Sequence, residues 1–399
     1  MKHFLFLVSV VFFVSCSHLE NFKNPKQKLM VHSLTSVSLS KKDIIELPTF
    51  QRDLSQMSAS ATRGARPQSY VLPVPLKQSD VHHNFLIPSI GSGMALYDSK
   101  RFSRIWNFPV KIGVSSTPAV SEDAVYFAGL DAHVYKVKAQ SGELIWKKEI
   151  SAESHGAAIL ANSMLYVSAS DDSLWALDAA TSKALWTYKR PSPSDVVFWS
   201  LRGQAQALLS PDKRFLYLGF SDGVFVKLNA LNGETVWEQS FKRKGRFQDA
   251  DTGVSFHKAA SQVLLSLPDA EVVALDAESG KNLWSLPNSS GAQAYSENEE
   301  VFYSTASREV KCIFAKSQAV KWSLELKERG IASQITPLGE DYLLFSTTDY
   351  GVHIADKKSG EILWEKYLGP GIVSGVYVDA KNFYVIAPNN YLHRFYAEI

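Results

Sequence analysis

Two short stretches carry residue types from which a binding chemistry can be built. In the first, "PSPSDVVFWSLRGQA", Trp199, Leu201 and Arg202 set an aromatic, an aliphatic and a guanidinium within four residues. Apolar anchors exclude water, and an arginine makes paired planar bonds, the chemistry of protein-interface hot spots. The second, "FKRKGRFQDADTGVS", holds Asp249 and Asp251 on either side of small Ala250. Two acids at that spacing can orient Arg202, receive a basic side chain from a partner, or ligate a cation. They can equally cap turns while Arg202 pairs with one of them internally. Residue types alone leave both arrangements open.

Other reactive types offer less. His82 and His83 are adjacent, so on a strand their side chains point to opposite faces, and no third ligand accompanies them. Of the two cysteines, Cys16 falls in the N-terminal targeting region, leaving Cys312 without a disulfide partner. Cys312 sits in the apolar stretch "EVKCIFA" and is expected to be an inert buried thiol. With ten His and many Ser, chance hydrolase-like combinations are inevitable, and none can be argued from spacing. The basic run Lys242–Arg243–Lys244–Gly245–Arg246 lacks the broad stripe and stacking aromatics of a nucleic-acid groove. The formal net charge of +2, from 42 basic and 40 acidic residues, likewise points away from nucleic acid. No catalytic residue, metal or cofactor site is expected.

The elements that must position these stretches announce themselves as a repeat. Trp106, Trp146, Trp186, Trp237, Trp284, Trp322 and Trp364 recur at intervals of 40, 40, 51, 47, 38 and 42 residues. Five of them end a common phrase: "KAQSGELIW", "DAATSKALW", "NALNGETVW", "DAESGKNLW" and "DKKSGEILW". Gly142, Gly233, Gly280 and Gly360 stand four residues before the Trp, with Ser182 in that place in the second phrase, "DAATSKALW". A hairpin that demands a positive φ explains the glycine. Before each phrase run two short apolar or alternating segments, such as "AVYFAG" then "HVYKVKA". One unit is therefore four strands, and the period-two runs of five to seven residues exclude helices. The Trp residues are expected to lie between neighbouring units as packing elements.

Repeated four-stranded units predict an all-β fold, an eight-bladed β-propeller of antiparallel blades. The C-terminal run "IVSGVYVDAKNFYVIAPNNYLHRFYAEI" supplies three strands, so an N-terminal strand is expected to close the ring. "SYVLPVPL" (Ser69 to Leu76) is the expected closing strand, with the first strand of the Trp106 blade near Lys77 to Val81. Seven blades is the alternative, if "RIWNFPV" itself closes the ring. The two longest intervals are consecutive, and their extra residues fall between an outer strand and the next blade's inner strand. Such connections share one face, so the Trp199 and Asp249 stretches make one candidate surface on a rigid scaffold.

The N-terminus reads as a processing signal. Lys2 is followed by an apolar run from Phe4 to Val14, shorter than the roughly 20 residues of a membrane span. Ser15 directly before Cys16 resembles the lipobox of bacterial lipoproteins, with Phe13 departing from the usual aliphatic residue. Cys16 is the expected lipidation site, and Ser17 after it points to the outer membrane. The expected organisation is a lipoprotein signal at 1–15, a lipidated N-terminus and flexible tether at 16–68, and the propeller at 69–399. Some local structure is expected around "KKDIIELPTF".

The repeat phrase is similar to that of the quinoprotein-dehydrogenase-like propellers. Within them, a Cys-anchored chain with "SLRG" (Ser200 to Gly203) in one long loop and "DAD" (Asp249 to Asp251) in the next resembles the BamB family. These are lipoproteins of the outer-membrane β-barrel assembly machinery, and the two motifs stand in the family's order. The resemblance implies a non-catalytic scaffold, one copy in a larger complex, lipid-anchored on the periplasmic side of the outer membrane. It implies binding to the POTRA region of the barrel-inserting subunit through Leu201, Arg202, Asp249 and Asp251. Trp199 replaces an aliphatic residue of the family. Two other readings compete: a quinone-dependent dehydrogenase on the same fold, and a propeller that binds carbohydrate or peptidoglycan in its central funnel.

Overall fold

The computed structural model describes residues 30–33, 44–46, 74–79, 82–90, 92–98, 103–190, 207–241, 253–267, 271–369, 376–379, 382–386 and 391–398. These residues form eight antiparallel sheets, seven of four strands and one closed by two short N-terminal strands. In chain order the blades occupy 74–108, 119–149, 159–189, 208–240, 253–287, 295–325 and 336–367, and the eighth 376–398. The Trp106 strand, Arg104–Phe108, pairs within the first blade, which rules out seven.

Burial follows strand position. Second strands such as Ala124–Ala128 and Met164–Ala169 are buried along their whole length, and others such as Phe215–Gly219 in all but the first residue, because a neighbouring blade covers each face. Outer strands such as Leu144–Glu149 and Ala184–Lys189 alternate between partly buried and exposed. Most core clusters join residues of two successive blades. Tyr217 and Phe225 of blade 4, for example, pack with Val263 and Leu265 of blade 5.

The repeated phrase is the chemistry of this seam. In blade 2, Gly142 adopts φ +69°, and a Cβ there would stand 2.7 Å from Cδ2 of Trp106 in blade 1. The Trp106 indole donates to the Ala139 carbonyl of the same hairpin at 2.9 Å. The bond recurs from Trp146 to Ala179, Trp186 to Ala230, Trp237 to Ala277 and Trp322 to Lys357. The acid opening the phrase shapes the hairpin: Asp276 Oδ1 accepts from the Ser279 amide at 2.7 Å and hydroxyl at 2.6 Å. Ser182 and Gln318 hold the glycine position at φ +65° and +57°.

Each of the seven Trp strands also carries a β-bulge at the residue before the Trp. Five of these bulged residues, Ile105, Ile145, Leu185, Val236 and Leu283, are 43–46% exposed on the outer rim. An unpaired extra residue is directed away from the ladder, so an apolar side chain there faces out.

Ring closure differs from the expectation. Val74–Ser79 is the first strand of the Trp106 blade, paired with His82–Ser89, so "SYVLPVPL" does not close the ring. The closing strand comes from further upstream, in two pieces. Met30–Ser33 pairs with Tyr391–Glu398 from Glu398 to Phe395, and Ile44–Glu46 resumes at His393. The described pairing is interrupted opposite Arg394, the register at which the other blades carry bulge and Trp. Blade 8 thus closes without a Trp of its own. Its contact to blade 1 is aromatic instead, with Phe85 and Tyr97 against Tyr384.

Candidate partner-binding surface

In an antiparallel blade the hairpin between second and third strands shares one face with the connection to the next blade. Both long connectors therefore emerge on that face, one after blade 3 and one after blade 4. Trp199, Leu201, Arg202, Asp249 and Asp251 lie outside the described residues, as does Cys16. The described residues show how both connectors are anchored.

The first connector departs at Arg190, directly after the outer strand Ala184–Lys189. The Arg190 amide donates to the Asp172 carbonyl in the hairpin of its own blade at 3.2 Å. Its guanidinium crosses to blade 4: Nε donates to Asp222 Oδ2 at 2.8 Å and Nη1 to Glu238 Oε2 at 3.1 Å. Nη1 also reaches the Tyr188 hydroxyl at 3.3 Å, and the group lies over the Phe220 ring. Burial opposes the charge, but the bonds to Tyr188 and Asp222 outweigh it and hold the guanidinium more firmly protonated. Asp172 in turn accepts from both the amide and the hydroxyl of Ser221, beside Asp222.

The second connector departs after Phe241, whose amide donates to the Gly223 carbonyl at 2.7 Å. Blade 4 is tied to blade 5 by Lys227, fully buried, with Nζ 3.0 Å from Glu278 and 4.0 Å above the Phe215 ring. A buried ammonium is tolerable only with such partners. Sequence reading missed these anchors. A signal was present in the acids directly after a blade Trp, Glu238 and Glu365. The second belongs to an equivalent clamp between blades 6 and 7, where Arg329 holds Glu365 at 2.8 and 3.3 Å.

Other candidates for chemistry fare as follows. Among the described residues no group of three or more His, Cys, Asp or Glu is placed to hold a metal ion. His82 and His83 are consecutive residues of the strand His82–Ser89. Cys312 is buried, and burial pushes its thiol up to about 12, far from the thiolate a nucleophile needs. Ser115 Oγ lies 2.9 Å from His155 Nδ1, but Glu153 is 4.0 Å from the other ring nitrogen. At that distance the acid does not fix the imidazole by hydrogen bonding, as a relay requires.

The match to known proteins follows the repeat. A family model described as "Outer membrane protein assembly factor BamB" matches residues 95–323 and 268–390, well over half of the chain. The chain belongs to the BamB family. The BamB of Burkholderia pseudomallei is 28% identical over 212 residues, 48% of this chain and 50% of that protein. The chain thus spans half the length of this relative. The BamB of Moranella endobia is 21% identical over 275 residues, 67% of this chain and 69% of the relative. A quinoprotein ethanol dehydrogenase of Pseudomonas aeruginosa is 30% identical over 140 residues, 33% of this chain and only 22% of the enzyme. The crystal structure of BamB from Moraxella catarrhalis superposes with a TM-score of 0.68 at 17% identity, covering 83% of this chain and 97% of that one. At that identity the likeness shows the fold. A propeller built from this repeat is the common ground of these matches.

Proposed function

We propose that this chain is a non-catalytic scaffold of outer-membrane β-barrel assembly, binding the periplasmic POTRA region of the barrel-inserting subunit. In this reading the connectors at 191–206 and 242–252 form the docking surface. Leu201 and Trp199 supply the apolar anchors, Arg202 the planar cation, and Asp249 and Asp251 the acids that meet basic groups of the partner. Cys16 carries the lipid anchor after removal of 1–15, and the chain is held on the periplasmic side of the outer membrane as one copy within a larger complex. Residues 69–399 are the propeller, to which 30–33 and 44–46 add the closing strand.

One observation carries the reading: in a BamB-family propeller, the two overlong connectors leave neighbouring blades on one face and share anchors on one hairpin. Rigidly mounted loops are where a regular scaffold places recognition. The similarity to quinoprotein ethanol dehydrogenase covers 33% of this chain. Four-stranded repeats with Trp-ended phrases are what the two have in common, and such a repeat specifies a fold rather than a reaction.

The test is co-purification of the membrane-extracted protein with the barrel-inserting subunit. The double change Arg202→Glu and Asp249→Arg is expected to abolish it while thermal unfolding stays unchanged. Association that survives the double change contradicts the assignment of the loops. Purified protein supplied with quinone and calcium is expected to show no dye reduction.

A further inference from the structure

Seven of the eight seams hold a Trp, but not every indole makes its bond. Trp106, Trp146, Trp186, Trp237 and Trp322 each donate to the next blade. At three of these seams a second side chain reaches the same carbonyl: Lys136 at Ala179, Tyr166 at Ala230 and Tyr217 at Ala277. The indoles of Trp284 and Trp364 are instead buried without a partner. Blades 5 and 6, on either side of Trp284, are still tied at the Trp237 and Trp322 seams. Trp364 packs on Phe383 and Phe395 of blade 8, which has no Trp of its own to tie it onward to blade 1. Blade 8 is therefore the one blade that no indole bond reaches from either side.

Register locates the missing bond. Tyr396 pairs with Asn382 as Asp356 pairs with Tyr342, so Ala397 stands where Lys357 accepts the Trp322 indole. Elsewhere the chain turns into a hairpin after this residue, whereas in blade 8 it runs on as strand and Glu398 pairs with Met30. Blade 8 is also the one blade whose outer strand is not joined to its third by a hairpin, because both pieces come from the far end of the chain. Opposite Ile44, where the second piece resumes, the Nε2 of His393 is buried without a partner. A buried polar atom with no partner adds nothing to the closed state and gains water on opening.

We infer that blade 8 and its two-piece closing strand form one opening unit, latched by that strand, which parts from the ring while blades 1–7 stay folded. Opening detaches the Trp364 face and the aromatic seam of Phe85 with Tyr384, and it bares the edge Tyr391–Glu398. The closing strand is thus a strap, through which the N-terminal segment governs whether that edge is covered. Opening is a property of the free protein, independent of the partner proposed above.

Hydrogen exchange of the membrane-extracted full chain in low urea, read by mass spectrometry, tests the opening. Amides of blade 8 and of both strap pieces are expected to exchange together, about tenfold faster than those of blades 2–4. His32→Cys with Tyr396→Cys places two thiols directly opposite in register, within the reach of a disulfide. With that bond formed, exchange throughout blade 8, the inner strand Val376–Asp379 included, is expected to slow about tenfold while blades 2–4 are unchanged. Reduction of the same variant is expected to restore the original rate. Blade 8 amides that exchange no faster than those of blades 2–4 overturn the inference. So does fast exchange confined to Ala397 and Glu398, which is fraying of a chain end. A formed disulfide that leaves the exchange of Val376–Asp379 unchanged also overturns it, because the strap then latches nothing.

Discussion

The indole of Trp237 lies flat against Gly280 of the following blade, where a Cβ would stand 2.6 Å from Cδ2. Gly280 holds φ +71°, so two demands meet at one residue: a left-handed backbone and no side chain. Gly280→Ala meets both penalties. The left-handed conformation alone costs an L-residue about 1–2 kcal/mol, and the indole must move as well. We expect a destabilisation of at least about 2 kcal/mol in urea unfolding, with changed near-ultraviolet dichroism from the displaced Trp.

Gln318 shows how the same seam tolerates a departure. It occupies the glycine position of blade 6, and its Nε2 donates to the Ala315 carbonyl at 3.0 Å and to Lys316 at 2.8 Å. Ala315 is the acceptor that an indole uses at the other seams. Here Trp284 Nε1 is buried without a partner. Gln318→Gly is expected to return the carbonyl to Trp284 and to change stability by less than about 1 kcal/mol, because relief of the left-handed strain offsets a looser unfolded chain. Hydrogen exchange of the Trp284 indole should slow to match that of Trp106.

The clamp at Glu365 makes stability depend on acid. His353 beside it and the Arg329 guanidinium hold the Glu365 carboxyl down at about 2, below its ordinary 4.5. A depressed carboxyl contributes its full stability above the unfolded value and loses it as pH falls through the folded one. Burial also lowers the His353 pKa, which acts in the same direction because the unfolded chain takes up that proton first. The unfolding midpoint should therefore fall between about pH 4.5 and pH 2 more steeply in the native protein than in Glu365→Gln. At neutral pH that variant should lose about 1.5–3 kcal/mol, the value of hydrogen bonds to charged groups.

Removal of the N-terminal 46 residues takes away both pieces of the closing strand. The eight-residue edge Tyr391–Glu398 is then unpaired, and exposed edges pair with other chains. We expect faster amide exchange along that strand and concentration-dependent oligomers by light scattering. A monomer with unchanged exchange would show that the closing strand is dispensable.

Most of the architecture was legible because the repeat is spelled in residues with a steric job. Trp, the hairpin glycine and the capping Asp recur since each seam needs the same three things, and counting them from both ends leads to eight blades. The closing strand was not legible in the same way. It is split into four- and three-residue pieces and lacks both Trp and phrase, whereas "SYVLPVPL" has the longer β-like run. The anchors Arg190 and Asp222 were hidden for another reason: they pair across a blade boundary, and no local pattern links residues 32 apart. The candidate contact residues, in contrast, stood out as departures from the repeat.

The claim that two connectors on one face recognise the barrel-inserting subunit is tested most directly by charge exchange. Arg202→Glu with Asp249→Arg, assayed by co-purification from membranes, should lose the subunit while the protein keeps its unfolding midpoint. Undiminished co-purification of that double variant would contradict the account.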